Sequence, residues 1–369
     1  MTTLRFYAVA FARFRWQIAL LSGVAALVVG PWVIAAQSVV LVDLIDAPSR
    51  IQNSQPHSMV SGVASLEGRT IAVGPRGLIM LSEDSGRSWR QVSTPVSTDL
   101  VTVKFSGPNV VWAVGHDAVA LKSIDGGDTW KRLLDGRAVL RLLRESAKGS
   151  DQLEAEIERT MGQSATADVW PAPLLDIRFA ADGQTGFAVG GFGLILHTTD
   201  GGENWQAWKG KADNEQRYHL YALTGEDDAI FVAGEQGLVM RFDAQSQRFK
   251  RITTPYNGSF FGIEQLGKKL VAFGLRGNAF VSEDAGLKWR KIETEVDANL
   301  VAAVAFDDTV LLVSQQGEVR RVDFKTARTS AYDQASGGEV YGAAMTQSHR
   351  LALARSSGVG VMAFSPQSN

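Results

Sequence analysis

The sequence predicts an all-β fold, a seven-bladed β-propeller, carrying an N-terminal transmembrane helix and a small helical insertion. Three observations predict it. Short apolar runs ending in Gly recur with a period near 40 residues, most are followed by a turn of the form D-x-G-x-x-W or its remnant, and the chain carries 37 Gly against only 10 Pro. A period of that length built from short strands and tight turns fits one four-stranded antiparallel blade per repeat. Hydrophobic residues make up 45% of the 369, enough to fill a large core.

The elements follow in chain order. Residues 1–15 read as a cytoplasmic basic segment carrying Arg5, Arg13 and Arg15. Residues 16–37 belong to an uncharged run that extends to 42, long enough to cross a bilayer as a helix. The arginines on its N-terminal side orient it with the N-terminus in the cytoplasm. The segment reads as a retained anchor, with a signal peptide cleaved near Ala35 or Ala36 as the alternative. Either one places the remainder outside the cytoplasm, tethered to a bacterial inner membrane by a single pass or released into the periplasm.

The body, 43–369, is the propeller. Gly77, Ala118, Gly193, Gly237, Gly277, Gly317 and Gly358 mark equivalent positions, separated by 41, 75, 44, 40, 40 and 41 residues. In the third unit, 174–180, 185–191, 194–199 and 204–209 read as the four strands. The seventh unit, EVYGAAM, RLALAR and VGVMAF, ends before a fourth strand. Residues of about 43–56 are expected to supply it and so join the chain ends.

Four copies of the turn are well kept: SEDSGRSW (82–89), SIDGGDTW (123–130), TTDGGENW (198–205) and SEDAGLKW (282–289). Asp84, Asp125, Asp200 and Asp284 read as turn carboxylates accepting backbone N–H groups. Trp89, Trp130, Trp205 and Trp289 then open the fourth strands and bury their rings. Carboxylates spread one per blade around a ring cannot converge on a substrate, so these are scaffold residues.

The single long interval holds an insertion at 136–171. Val139, Leu140 and Leu143 share one side of a short helix; Leu153, Ile157 and Met161 follow at i, i+4, i+8 on a second, with Asp151 and Glu154 as a capping box. The stripe packs on the propeller, or Leu143, Leu153, Ile157 and Met161 dock a partner.

Composition excludes several chemistries. With 37 Lys+Arg against 39 Asp+Glu, the chain is no nucleic-acid binder driven by bulk charge. It has no Cys, hence no disulfide, thiolate metal site or thiol nucleophile. His57, His116, His197, His219 and His349 form no metal-binding spacing, and no cofactor motif is present. Polar residues near the first strands, Asp176, Arg178, Arg217, His219, Tyr221, Glu264, Glu339 and Tyr341, are placed in a central funnel. They either line a wet channel or include the paired acids of a glycosidase.

From about 58 to 364 the chain resembles the photosystem II assembly and stability factor family, whose bacterial relatives also occur outside photosynthetic organisms. FAVGGFGLILHTTDGGENW (187–205) and IAVGPRGLIMLSEDSGRSW (71–89) carry the resemblance. It implies a seven-bladed propeller without enzymatic activity or cofactor that helps a membrane complex assemble. The repeat is also similar to the Asp-box of sialidases and sortilin-like receptors. A sialidase-like or other carbohydrate-active enzyme, in which Arg178, Arg217 and Tyr341 would hold the sugar, is therefore one alternative. A lipid- or polymer-binding module is the other. Non-photosynthetic relatives are often encoded beside resistance-nodulation-division exporters, which implies a polytopic transporter subunit as partner, with the bilayer contacted through the N-terminal helix.

Overall fold

The computed structural model describes residues 42–51, 57–164, 166–208, 210–225 and 229–363. The basic segment 1–15 and the anchor at 16–37 lie outside them. No described helix is long and apolar enough to cross a membrane.

Residues 62–363 form seven antiparallel sheets in which strands pair in chain order. Blades one to seven span 62–92, 100–134, 174–207, 220–252, 260–291, 300–334 and 340–363. In the third, the strands are Leu174–Phe179, Gly186–Gly190, Ile195–Thr198 and Gln206–Ala207, close to the expected bounds. The second strand of each blade is an almost unbroken buried apolar run, as in VWAVG (Val111–Gly115), because it is covered on both faces by neighbouring sheets.

Seven buried apolar clusters fill the ring, and each is shared by adjoining blades. The cluster closing the circle joins Val63, Ala72 and Met80 of blade one to Ala352 and Ala354 of blade seven. There Val60 N–H donates to the Arg355 carbonyl at 3.1 Å.

Blade seven has three described strands, and the expected fourth does not come from 42–51. That leader instead runs beside blades one and two. Ile45 is buried in their shared cluster, Ser49 N–H donates to the Thr94 carbonyl and Ser97 N–H to that of Leu44. Asp46 pairs with Arg132 at 3.1 Å and with Arg137 at 2.9 Å, and Asp43 with Arg137 at 2.6 Å. These anchors hold the leader on the wrong side of the ring seam to complete blade seven. Residues 52–56 of the expected strand lie outside the described ones.

The insertion is a helical hairpin, α1 (Gly136–Ala147) and α2 (Asp151–Met161). The Asp135 carboxylate caps α1 by accepting from Ala138 N–H at 2.9 Å. The cap of α2 is Ser150, one residue before the expected capping box. Val139, Leu140, Leu143, Ala147 and Ile157 are buried in one cluster with Trp112, Leu174, Leu194 and Leu196 of blades two and three.

Candidate functional site

The four kept turns are joints. In blade two, Asp125 Oδ1 accepts from Ser123 Oγ (2.7 Å) and Thr129 N–H (2.9 Å), and Trp130 Nε1–H donates to the Gly127 carbonyl at 3.0 Å. Asp84, Asp200 and Asp284 repeat this arrangement with Ser82, Thr198 and Ser282, as do Trp89, Trp205 and Trp289. Burial opposes ionisation of Asp125, yet hydrogen bonds from Thr129 and Ser123 hold it down to about 2. Bonds from Asn204 and Thr198 do the same to Asp200. A glycine of each turn abuts a neighbouring blade: Gly86 meets Val361, Gly127 Ile71, Gly202 Trp112 and Gly286 Ile252. These carboxylates are committed to their own turns, one to a blade.

The first strands surround an axial cavity of about 540 Å³. Small residues set its width, Gly62, Thr102, Ala222, Gly262, Ala302 and Gly342 among them. Its charges gather on a few strands. Asp176 is buried and accepts from Ile177 N–H (2.9 Å) and Leu223 N–H (2.8 Å), with Lys104 Nζ at 3.5 Å. It therefore staples blade three to blade four and presents no free carboxylate to a substrate. Glu264 is half-buried; desolvation pushes it up to about 7, opposed by Lys104 and Arg178 and reinforced by Asp176. Arg178 Nε donates to the Gly225 carbonyl. Tyr221 and Tyr341 also line the cavity. The Tyr221 phenol faces Glu235 and is pushed up to about 12 by burial and that carboxylate. The Tyr341 hydroxyl donates to exposed Glu339 at 3.1 Å.

Four of the eight residues assigned to the funnel, Arg178, Arg217, His219 and Glu339, do not line this cavity. Arg217 (φ 57) precedes the first strand of blade four and reaches Glu156 of α2 as an ion pair. His219 accepts, through Nδ1, from Phe192 N–H at 2.8 Å. A left-handed residue just before the strand breaks the alternation that RYHLY suggests, so the run divides among three environments. Among the described residues no cluster of His, Asp and Glu is arranged to hold a metal.

A second cavity, about 350 Å³, lies between the hairpin and blades three and four. Leu143, Leu153, Leu194, Ile195 and two indoles, Trp170 and Trp208, form its apolar wall, and Glu156, Arg217 and Arg248 its polar rim. Of the four residues considered for partner docking, Leu143 and Ile157 are buried against the propeller. Leu153 and Met161 are half-buried against the same cluster. The stripe packs mainly against the protein's own core, with Leu143 and Leu153 also lining the second cavity.

The model of the family described as Photosynthesis system II assembly factor YCF48 matches residues 163–321. The Photosystem II assembly lipoprotein Ycf48 of Synechococcus sp. (strain CC9902) is 28% identical over 124 residues, 33% of this chain and 37% of that protein. The Nostoc sp. (strain PCC 7120) protein of the same name is 28% identical over 147 residues, 36% and 43% of the two chains. The solved structure of YCF48 bound to D1 peptide aligns with TM-score 0.60 at 14% identity, covering 86% of this chain and 97% of that one. The chain is similar to this family over residues 163–321 and shares the fold of the solved YCF48 propeller. YCF48 from Cyanidioschyzon merolae aligns similarly, with TM-score 0.59 at 16% identity, over 86% and 98% of the two chains. A streptogramin B lyase aligns with TM-score 0.63 at 12% identity, over 86% and 98%, so these structural likenesses speak for the fold alone.

Sequence reasoning missed Lys104, Trp170 and Trp208. Lys104 was legible, since it holds the strand position in LVTVKF that Arg178 holds in LLDIRF. The two indoles stand outside the repeated turn and carried no periodic signal. The channel acid yields a test. A carboxyl raised in the folded state costs stability as pH climbs from the unfolded value near 4.3 to about 7, because the unfolded chain ionises first. Glu264→Gln is expected to abolish that loss, leaving the variant more stable by up to roughly 3 kcal/mol above pH 7 and little changed at pH 4. Urea midpoints of both proteins across this range check the sign.

Proposed function

We propose that this chain is a non-enzymatic assembly factor that holds a segment of a polytopic membrane protein, a subunit of a resistance-nodulation-division exporter. Its propeller stands in the periplasm on an N-terminal single-pass anchor. The tether raises the local concentration of a disc whose working parts are its loops. The observation that carries the reading is the match of the Ycf48 family model over residues 163–321, together with turns whose acids are committed to backbone and side-chain partners within their own turn and an axial cavity whose Asp176 is held by backbone and Lys104. The relatives are photosystem II assembly lipoproteins, and a structural neighbour is bound to D1 peptide, so peptide capture by this type of disc has precedent. The exporter assignment is supported by the genomic company of non-photosynthetic relatives.

The turns between second and third strands provide the contact face. Arg76, Asp117, Phe192, Gln236 and Arg276 there all have positive φ, and Phe192 is 36% exposed. A bulky residue held in the left-handed region is uncommon and gathers where surroundings fix loops for a task. Ile124 (72% exposed) and Leu287 (81%) lie at the opposite ends of their strands, in the joint turns. A photo-crosslinking p-benzoylphenylalanine placed at Phe192 is expected to capture an exporter subunit from intact membranes, while the same group at Ile124 or Leu287 captures none. Crosslinks only to soluble proteins, or none from any position, would overturn the reading.

A further inference from the structure

We propose that the leader before blade one lies against a lipid bilayer, which it meets through Val42, Leu44, Ile51 and the nearby Met59. This rests on the reading of 16–37 as an anchor and adds which part of the disc touches lipid. The four side chains are 60%, 57%, 57% and 41% exposed. Their charged neighbours do the opposite. Asp43 turns to Arg137 at 2.6 Å, and Asp46 turns to Arg132 at 3.1 Å and to Arg137 at 2.9 Å. Single exposed aliphatic residues are ordinary, but a short segment that spends its acids on the protein and leaves its aliphatic groups outside is a contact surface.

The leader is fixed in this posture. Asp46 N–H and Ala47 N–H close a turn on the Asp43 carbonyl at 2.9 and 3.0 Å, and Ile45 is buried between blades one and two. Ser97 N–H donates to the Leu44 carbonyl at 2.8 Å, Thr94 N–H to Ser49 Oγ at 2.9 Å and Gln91 Nε2 to the Arg50 carbonyl at 3.0 Å. The segment that holds the leader is itself bonded to the turn between the second and third strands of blade one. Thr94 Oγ1 donates to the Gly77 carbonyl at 2.9 Å, and Gly77 N–H to that of Thr98 at 2.7 Å. Met59 comes to the same end of the blade, where a Cβ on Gly74 would stand 2.7 Å from its carbonyl oxygen. The four aliphatic side chains therefore belong to one face of the disc, and Ile124 and Leu287 to the other.

Chain connectivity names what covers that face. Residues 16–42 carry no charge. With 16–37 across the bilayer, only SVVLV (38–42) separates the anchor from Asp43, the first residue latched to the propeller. Fully extended, that stretch reaches no more than about 20 Å, and an apolar stretch gains nothing by extending into water. A face held so close meets lipid before it meets a soluble partner. Arg50 and Arg76 are exposed on the same face, placed to meet lipid phosphates. Phe192 lies farther round it, in blade three, and is left for a protein partner.

The chain has no Cys, so one introduced thiol carries a fluorophore to one place. Full-length Leu44→Cys, Ile51→Cys, Ile124→Cys and Leu287→Cys, each labelled with nitrobenzoxadiazole, are reconstituted into vesicles of phosphatidylethanolamine and phosphatidylglycerol, with and without a doxyl-labelled phosphatidylcholine. The labels at 44 and 51 are expected to emit further to the blue and to be quenched by the doxyl lipid about three- to tenfold more than those at 124 and 287, as for side chains at the acyl boundary. Protein that floats with the vesicles while all four labels are quenched alike would overturn the contact and leave the anchor standing. A blue-shifted label at 44 that the doxyl lipid does not quench would mean that protein covers the patch, and overturns it as well. Protein that does not float removes the anchor and this contact together. Urea midpoints show whether a label disturbs the fold, and Val42→Cys replaces either leader variant that it does disturb.

Discussion

Gly202→Val is expected to destabilise the propeller by about 3–5 kcal/mol, read as a fall in its urea midpoint. Two costs combine at this residue. Its φ of +84° lies where a β-branched side chain is strained, and a Cβ built there would stand 2.3 Å from Cη2 of Trp112. Trp112 cannot retreat, because its ring stacks on Phe179 at 4.8 Å and meets Trp205 edge-on at 6.2 Å. The backbone cost can be isolated at Gly149, where φ is +81° and a Cβ would meet nothing within 4 Å. Gly149→Val should therefore lose only about 1–2 kcal/mol. The excess at Gly202 measures the joint itself, the contact between one blade's turn and the preceding blade's second strand. Equal losses at the two glycines would mean that the turn caps its own hairpin and carries no load between blades.

The ring was legible because its chemistry is local. A turn whose Asp, hydroxyl, Gly and Trp lie within eight residues repeats as a string, and a blade made of consecutive strands keeps the period. The same holds for the hairpin, whose stripe shows in the spacing of Val139, Leu143 and Ile157. The leader was not legible. Asp46 meets Arg132 and Asp43 meets Arg137 across 86 and 94 residues, and nothing periodic marks such a pairing. Arg217 misled for a related reason. Alternation along RYHLY assumes extended backbone throughout, and the positive φ at Arg217 turns that side chain to the hairpin, out of the channel. The second cavity, which draws on the insertion and two blades, is the part furthest from any one stretch of sequence. Trp170 and Trp208 acquire meaning only once those elements are assembled.

Deleting residues 136–171 is expected to unfold blades two and three, not merely to remove an appendage. The excision takes Val139, Leu140, Leu143, Ile157 and Trp170 out of a cluster that also contains Trp112, Ala118, Leu174 and Leu196. Each large side chain lost from burial forfeits roughly 1.5–3 kcal/mol, so the total is comparable with the 5–15 kcal/mol by which a typical domain is stable. It also releases Arg137 from Asp43 and Asp46, loosening the leader that covers blades one and two. The outer face behaves differently. Arg144 and Glu158 pair at 3.0 Å in solvent, and Arg144→Ala should change stability by less than about 0.5 kcal/mol. Limited proteolysis and a thermal melt compare the three proteins. The deletion is expected to be cleaved rapidly within 100–207 and to melt without a cooperative transition, while Arg144→Ala follows the parent. A deletion variant that melts cooperatively near the parent temperature would show that the hairpin only rests on a finished ring.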